Sequence, residues 1–300
     1  MEQKYESKVY KSKEGRHILH NLYRRHLIAM EAPVSERMVE TRFGDTHVML
    51  YGHPEGKPVF VFYGECAINP LAIRPLAQGF DLDKIRLIVP DPVGQVGFSE
   101  EKRLSLLKNE YGAWACQVMD GLGLPDATVL GYSFGAGMAL QLCATSVLRI
   151  ERLLLVMPSG FVSVPTRKVA GLVRPAFKKE DEVTDGSVKK ALAPVLPFPQ
   201  DELTEAVRML SLHAKMETKR IKCFKRKELQ KLKAPVYIVA EKSDYLFPGE
   251  EVIKQARKII PQIGGTRLLS SGGSHCCLFR EDESQEACFT GMSDFILHSI

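Results

Sequence analysis

Apolar residues along the chain form short continuous runs with the length and composition typical of β-strands. The runs are residues 48–52, 58–64, 86–91, 128–133, 152–159, 235–244 and 265–271. The first two flank the turn residues HPEGK, a pattern that predicts a hairpin or a meander. The later runs are continuously apolar rather than alternating, so we expect both faces of each strand to be covered, as in a parallel sheet.

Segments of helical periodicity separate these strands. Helices are expected around residues 104–122, 134–147 and 249–260. This alternation of strand and helix predicts an α/β fold with a mostly parallel, doubly wound sheet and helices on both of its sides. The predicted core comprises residues 35–160 and 230–300.

Two segments depart from the alternation. Residues 14–30 place apolar side chains at helical spacing, which predicts an amphipathic helix within an N-terminal extension, residues 1–34. Residues 161–229 contain no strand pattern, and prolines divide them into helix-like stretches. We therefore expect a helical cap inserted between two strands of the sheet. Its end, 215–233, is strongly basic and is interpreted as a solvated helix face, with anion binding as the alternative.

Composition excludes several classes of protein. The chain has 300 residues, 45% of them hydrophobic, and a formal net charge of +5, which describes a globular protein and does not indicate nucleic-acid binding. No run approaches the roughly 20 apolar residues of a membrane-spanning helix. The polar N-terminus has no signal-peptide pattern, so we expect a cytoplasmic protein without stable membrane insertion. The seven cysteines include no C-x-x-C pair, which indicates neither a disulfide framework nor a zinc site.

The strongest chemical signal is Gly131-Tyr132-Ser133-Phe134-Gly135, which closes one predicted strand and opens a predicted helix. A G-x-S-x-G turn in that position forces the serine into a tight, strained bend and exposes its hydroxyl above the sheet. Glycines are needed because a side chain there would collide with the neighbouring strand or helix. Ser133 is therefore the candidate nucleophile.

A serine nucleophile needs a base to accept its proton, and the base needs a carboxylate to hold its tautomer. Of the eight histidines, His275 is the best candidate, because it follows the last predicted strand on a glycine-containing loop. Asp244 ends a buried strand, at the edge of the sheet where α/β sites gather, and Glu241 is its only nearby competitor. The chain order Ser, Asp, His is the one expected for this architecture.

With these residues the chain resembles the α/β-hydrolase superfamily over about residues 40–300. Within it, the chain is similar to bacterial carboxylesterase-like hydrolases that carry an N-terminal helix. The resemblance rests on the serine turn, the Ser133, Asp244 and His275 set, the turn that begins at Asp91, and the helical cap. It implies hydrolysis of an ester or related acyl bond in a small molecule, with no cofactor and no metal. Asp91 is expected to form a turn rather than to act as a second acid.

The resemblance also implies an oxyanion hole made of two backbone N–H groups, those of Glu65 and Phe134. The His-Gly pair that usually precedes the first donor appears here as Tyr63-Gly64. Backbone donors survive that change, but a Glu65 carboxylate aimed inward would oppose the oxyanion. We expect it to point away or to recognise a cationic substrate group. Side chains flanking the donors are pocket candidates, namely Tyr63, Cys66 and Tyr132.

The sequence thus predicts a serine hydrolase that cleaves a carboxylic ester through an acyl-enzyme. Hydrolysis of a thioester, an amide or a carbon–carbon bond on the same triad is the alternative within this chemistry. A non-catalytic binding protein on a hydrolase fold is the alternative from another class. The complete triad argues against it, since a binding protein needs neither base nor acid. The physiological substrate and the oligomeric state are left open.

Overall fold

The computed structural model describes residues 5–64, 68–197, 199–217, 219–270, 275–279 and 283–298. Its strands are β1 (Val34–Val39), β2 (Thr46–Tyr51), β3 (Lys57–Phe62), β4 (Ile85–Pro90), β5 (Ala127–Tyr132), β6 (Ile150–Val156), β7 (Val236–Glu241) and β8 (Gly265–Leu269). They form one eight-stranded sheet in the order β1-β2-β4-β3-β5-β6-β7-β8. β2 is antiparallel to both of its neighbours, and β3 to β8 are parallel to one another.

Ten α-helices accompany the sheet within the described ranges. They are α1 (Lys13–Ile28), α2 (Asn69–Gly79), α3 (Glu110–Gly121), α4 (Phe134–Thr145), α5 (Thr166–Val173), α6 (Asp185–Leu192), α7 (Asp201–His213), α8 (Arg226–Leu229), α9 (Gly249–Ile259) and α10 (Glu283–Leu297). In this part of the chain, no helix combines the length and the apolar character needed to cross a membrane.

Two apolar cores, one on each face of the sheet, explain why the strands are continuously apolar. Along β3, Val59 and Val61 point into one core and Phe60 and Phe62 into the other, because successive side chains of a strand alternate. Helices α1, α2 and α10 contribute to the first core, and α3, α4 and α9 to the second. The predicted α/β fold, with a mostly parallel sheet covered on both sides, is confirmed.

The pairing of the first strands differs from the prediction. The turn after β2 does not close a hairpin, because β4 lies between β2 and β3. β4 pairs antiparallel with β2, for example Val89 with Met49, and parallel with β3, for example Leu87 with Val59. A short turn can connect two adjacent strands, as in a hairpin, or two strands that have a third strand between them. The turn residues do not distinguish these two cases, so the prediction was wrong. The strand between them is β4, which follows α2 in the chain.

Strand β1 and the start of α3 were also not predicted. Four of the six residues of β1 are exposed at the sheet edge, so no apolar run marks this strand. Helix α3 begins only at Glu110, later than expected, because Asn109 before it adopts a φ of 53°. A left-handed residue at that point interrupts the helical geometry.

The cap contains α5 to α8 and no strand among its described residues. Its basic end is not the predicted helix face, since only Arg226–Leu229 is helical there. The residues before α8 bond to other segments instead of forming helical turns. Lys215 N–H donates to Val9 O at 2.7 Å, and Phe224 N–H donates to Gly160 O at 2.8 Å. The cap's basic end is therefore mostly an irregular segment bound to the core and to the N-terminal residues.

Helix α1 joins the core to the cap. It packs against α2 of the core and against α7 of the cap. Leu19 and Tyr23 are fully buried in this contact. Just before α1, Tyr10 forms an isolated antiparallel bridge with Ala214 at the end of α7. The amphipathic helix predicted for residues 14–30 is thus present, and its apolar face is covered by the rest of the protein.

Asp91, directly after β4, is a fully buried carboxylate surrounded by hydrogen-bond donors. Phe98 N–H donates to Oδ2 at 2.9 Å and closes the turn predicted for this residue. Asn69 Nδ2, at the start of α2, donates to Oδ1 at 2.9 Å, and the Tyr23 hydroxyl of α1 donates to the same oxygen at 3.1 Å. A buried carboxylate is tolerated only when its oxygens are satisfied in this way. Asp91 therefore shapes its own turn and also ties α1 and α2 to the sheet.

His47 on β2 extends this network to the edge of the sheet. Its Nδ1 lies 2.9 Å from Asp91 Oδ2, and its Nε2 lies 2.7 Å from Glu36 Oε2. Burial disfavours the imidazolium, but the hydrogen bonds and charges of Asp91 and Glu36 outweigh it, so the pKa of His47 is raised. Partial burial acts to raise the pKa of Glu36, yet the hydrogen bonds from Arg24 and His47 lower it.

We expect the stability of the fold to depend on the charge of His47. Because its pKa is raised on folding, the imidazolium stabilises the fold below the ordinary histidine pKa of about 6.5, and this contribution is lost as the pH rises through the folded value. The contribution of Glu36 is lost in the opposite direction, as the pH falls through its lowered pKa. Urea unfolding of the wild type and His47→Gln should therefore differ most between about pH 5 and 6.5 and least at alkaline pH. A difference in unfolding free energy that is constant with pH would contradict this.

Candidate active site

Ser133 lies at the turn between β5 and α4. Its backbone has φ 55° and ψ −120°, a conformation that residues with a side chain rarely adopt. Hydrogen bonds to the end of β6 and beyond hold the turn: Ser133 N–H donates to Val156 O at 2.9 Å, and Ser159 N–H donates to Ser133 O at 3.1 Å. The strained bend predicted from the G-x-S-x-G sequence is present, at the carboxyl edge of the parallel strands.

Two glycines of this turn are required by close packing. A Cβ on Gly135 would lie 2.2 Å from Phe62 O of β3, and a Cβ on Gly131 would lie 2.5 Å from Ala136 Cα of α4. Both distances are far below van der Waals contact, so any side chain there would push helix and strand apart. Helix α4 can begin directly over the sheet only because these positions carry no side chain.

His275 approaches Ser133 from the turn beyond β8. Its Nε2 lies 2.6 Å from Ser133 Oγ. The buried imidazole has aromatic neighbours on two sides, Tyr132 at 6.3 Å and Phe247 at 5.5 Å between ring centroids. The backbone N–H of the following residue donates to Val195 O of the cap at 3.1 Å. Both core and cap therefore hold the imidazole over the serine.

Asp244 follows β7 and supplies the carboxylate beside His275. Its Oδ2 lies 2.6 Å from His275 Nδ1. Its Oδ1 accepts from two backbone N–H groups, those of Leu246 at 2.7 Å and Phe247 at 3.0 Å. Asp244 is 2% exposed, so these donors replace water around the charge. Glu241, the competing acid, ends β7, and its Oε1 accepts from the backbone N–H two residues later at 3.3 Å. The carboxylate in contact with the histidine is that of Asp244.

These three side chains form one chain of hydrogen bonds although they lie far apart in sequence. Each is placed at or beyond the carboxyl end of a parallel strand: Ser133 after β5, Asp244 after β7 and His275 after β8. Such an arrangement can move a proton from the hydroxyl to the imidazole while the carboxylate stabilises the resulting cation.

The structure describes only one of the two residues predicted to form the oxyanion hole. Phe134 is the first residue of α4, where a backbone N–H has no carbonyl partner within the helix. It lines the same cavity as Ser133. Glu65 and the pocket candidate Cys66 lie outside the described residues. Gly64, which precedes them, also lines the cavity.

A cavity of about 420 Å³ lies between the sheet and the cap, with Ser133 and His275 in its wall. Tyr132, a predicted pocket residue, also lines it. Much of the remaining wall is aliphatic and comes from the cap, including Val169, Leu172, Val173, Leu196, Leu203 and Val207. A cavity of this size and lining is typical of small-molecule sites. Sequence reasoning did not identify these cap residues as pocket residues, because they resemble the apolar face of any packed helix.

Tyr63 was predicted as a pocket residue, and this was wrong. Its ring is 2% exposed and belongs to the same core as Val59 and Val61, two and four residues earlier on β3. Its hydroxyl is directed at Asp91, 3.5 Å from Oδ1. The alternation of side chains along the strand therefore sends Tyr63 into the core, and it is not part of the cavity wall.

Burial disfavours the thiolate form of the two cysteines that follow His275. Burial raises the pKa of Cys276 to about 12 and that of Cys277 well above its ordinary value. Both remain protonated at neutral pH, whereas a reactive cysteine needs its thiolate form. Within the described ranges, no three His, Cys, Asp or Glu side chains are grouped so that they could hold a metal ion.

Comparison with known proteins gives partial matches in sequence. No protein-family model matches the chain. An uncharacterised carboxylesterase of Bacillus subtilis, nap, is 27% identical over 97 residues, which are 32% of this chain and 32% of that protein. A 2-hydroxymuconate semialdehyde hydrolase of Pseudomonas putida is 30% identical over 126 residues, 41% of this chain and 43% of that protein. The chain thus matches less than half the length of these curated relatives.

The likeness in structure extends over nearly the whole chain. The crystal structure of the carboxylesterase CesB (YbfK) of Bacillus subtilis superposes with a TM-score of 0.79 at 17% identity, covering 96% of this chain and 100% of that one. At this identity the superposition establishes the fold. The prediction from sequence is confirmed: the chain has the α/β-hydrolase fold and resembles bacterial carboxylesterases in sequence and in structure.

Proposed function

We propose that this chain is a serine hydrolase that cleaves a carboxylic ester with an apolar acyl group through an acyl-enzyme. One observation carries the proposal. Hydrogen bonds of 2.6 Å join Ser133 Oγ to His275 Nε2 and His275 Nδ1 to Asp244 Oδ2, in the wall of a largely apolar cavity. The resemblance to bacterial carboxylesterases supports the same chemistry.

In the acylation step, Ser133 Oγ attacks the ester carbonyl carbon while His275 Nε2 takes the hydroxyl proton. Asp244 keeps the Nδ1–H tautomer, which leaves the Nε2 lone pair facing the serine. It also stabilises the imidazolium that forms. The proton then passes from Nε2 to the departing alkoxide, and the acyl group stays on Ser133.

The carbonyl oxygen becomes negatively charged in the tetrahedral intermediate and needs hydrogen-bond donors. The Phe134 N–H is one candidate, and it lies at the positive end of the α4 dipole. The second donor assigned by the resemblance, the Glu65 N–H, stays a prediction. In the deacylation step, water replaces the serine, with His275 as its base, and the acid is released.

A second candidate function comes from the relative in Pseudomonas putida. That protein is named a hydrolase of 2-hydroxymuconate semialdehyde rather than of an ester. The same triad can serve thioester, amide or carbon–carbon bond hydrolysis, since the nucleophile and base are common to these reactions. Turnover of such a semialdehyde by a preparation that hydrolyses no ester would favour the second candidate.

Labelling by a fluorophosphonate tests the proposed function, because this probe reacts with activated serines whatever the natural substrate is. We expect the wild type to be labelled and Ser133→Ala to be unlabelled. His275→Ala should lose labelling by several orders of magnitude, since the hydroxyl then has no base. Ser163→Ala is the matched control, because Ser163 lines the same cavity and should not carry the label.

The outcomes separate clearly when folding is checked by circular dichroism. Labelling that is lost in Ser133→Ala and His275→Ala but kept in Ser163→Ala supports the proposal. A folded wild type that is never labelled contradicts it and favours a non-catalytic binding protein. Labelling that persists in Ser133→Ala contradicts the assignment of the nucleophile.

A further inference from the structure

We propose that the substrate carries an anionic group several bonds away from the scissile carbonyl, and that Arg220, assisted by Lys219, binds this group at the cavity wall. The inference rests on the proposed function, because it assigns a substrate class to the same site. It concerns the basic end of the cap, which the proposed mechanism does not use.

The segment that carries these two cations lies beside the nucleophile turn. Ile221 packs so closely on Gly137, in the first turn of α4, that a Cβ on Gly137 would lie 2.5 Å from Ile221 Cγ2. Farther along, Phe224 N–H bonds to Gly160 O at 2.8 Å. Two residues of chain span at most about 7 Å, so the backbone that bears the cations is within that distance of Ile221.

Two of the charged side chains in the cavity wall are neutralised by partners. Glu217 pairs with Arg103 at 3.0 Å. Lys222 pairs with Glu228 at 2.6 Å. In both pairs, the charge in the cavity wall already has an opposite charge beside it.

Arg220 and Lys219 belong to the same wall, but no carboxylate among the described residues forms an ion pair with either of them. Arg220 Nη2 donates to Thr166 Oγ1, on the first residue of α5, at 2.5 Å. A guanidinium carries five N–H donors, so this bond fixes the side chain and leaves most of its donors for a ligand. Arg220 is half-buried, and water therefore screens its charge less than that of an exposed cation.

The chemistry of the wall points to an amphiphilic substrate. The cap supplies aliphatic surface for a hydrocarbon chain, and Arg220 supplies a planar fork that binds a carboxylate or phosphate through parallel hydrogen bonds. Lys219, the preceding residue, adds a second positive charge to the same wall. A neutral ester offers these cations no opposite charge, whereas an anionic ester does. Anionic esters should therefore be preferred over neutral esters of the same length.

Steady-state kinetics on matched esters measure this preference. The probe is the para-nitrophenyl monoester of suberic acid, whose acyl chain ends in a carboxylate, and its control is the same compound with the carboxylate methylated. A second pair, the octanoate esters of para-hydroxybenzoate and of its methyl ester, places the anion on the alcohol side. For at least one pair, we expect kcat/KM to be about tenfold higher for the anionic member, and sodium chloride should reduce this advantage.

Variants assign the preference to Arg220. Arg220→Gln should lower kcat/KM about tenfold for the preferred anionic ester and less than twofold for its neutral partner. Arg226→Gln is the matched control, because Arg226 is an exposed cation of α8 outside the cavity wall, and both esters should be unaffected. Thr166→Val removes the hydrogen-bond partner of Arg220 but keeps the guanidinium, so the preference should survive.

Equal kcat/KM for the anionic and neutral members of both pairs would overturn this proposal and leave the proposed function standing. So would an Arg220→Gln variant that slows both members equally, since that pattern indicates only a structural contact with Thr166. If no ester is hydrolysed, the proposed function fails, and calorimetric titration of Ser133→Ala with monomethyl and dimethyl suberate decides the substrate class. Tighter binding of the monoester than of the diester by Ser133→Ala would support the proposed anion site, provided that the difference disappears when Arg220→Gln is added. Equal binding of the two esters would overturn the anion site.

Discussion

Asp244→Asn should lower kcat for ester hydrolysis by about 10⁴-fold with little change in KM. Asp244 Oδ2 accepts the Nδ1–H of His275 at 2.6 Å, whereas an asparagine amide can present a donor at that position. The imidazole would then keep its proton on Nε2, toward Ser133, and could not accept the serine proton. The bonds from Leu246 N–H and Phe247 N–H to Oδ1 can remain, so the loop should keep its shape.

Initial-rate kinetics and the rate of fluorophosphonate labelling both measure this effect. Glu241→Gln is the matched control, because Glu241 is also a buried acid at the end of β7 and was the competing candidate from sequence. We expect this control to keep kcat within severalfold of the wild type. If Glu241→Gln loses activity as severely as Asp244→Asn while both stay folded, the assignment of the orienting acid is wrong.

Leu19→Ala should lower the free energy of unfolding by about 2–5 kcal/mol. Leu19 is fully buried on α1, which packs against both α2 of the core and α7 of the cap. Truncating this side chain opens a cavity at the contact that joins the two parts. The free energy of unfolding of single domains is about 5–15 kcal/mol, so such a loss is a large fraction of the total stability.

Urea unfolding followed by circular dichroism measures the loss. Ile28→Ala is the matched control, since Ile28 lies on the same helix but is 85% exposed, and its truncation should change stability by less than about 0.5 kcal/mol. Equal stability of Leu19→Ala and the wild type would show that α1 is not an integral part of the fold. A separate early transition in the wild type would indicate that α1 detaches before the core unfolds.

The N-terminal residues before α1 strengthen the same connection. Lys11 N–H donates to His213 O at 2.8 Å, and its Nζ donates to Ser211 O at 2.8 Å and to Ala176 O at 3.1 Å. These bonds link the N-terminal segment to the end of α7 and to the turn after α5. The polar N-terminal segment thus helps to hold the cap in place above the cavity. The composition of this segment does not indicate such a role.

The candidate site residues could be proposed from sequence because their signals are local. The bend at Ser133 depends on small residues within one pentapeptide and on the strand and helix that flank it. Asp244 and His275 each follow an apolar run, and parallel strands deliver their carboxyl ends to one edge of the sheet. The structure brings these three side chains together at that edge.

Strand order could not be derived in the same way. A continuous apolar run shows that a strand is buried on both faces, but it does not specify which strand lies beside it. The apolar runs therefore do not indicate that β4 lies between β2 and β3. Strand β1 has no apolar run at all, because it is an edge strand whose stability comes from its pairing with β2.

The fold class, the strained serine turn and the order of Ser133, Asp244 and His275 along the chain could be predicted from sequence, since their signals depend on residues that are close in sequence. Only the folded structure shows which cap residues form the cavity, that Tyr63 turns into the core, and that Arg220 lines the cavity wall with no ion pair to a carboxylate among the described residues. These properties depend on contacts between residues far apart in the chain. Side-chain burial and ion pairing at such contacts are set by packing, which periodicity and composition do not encode.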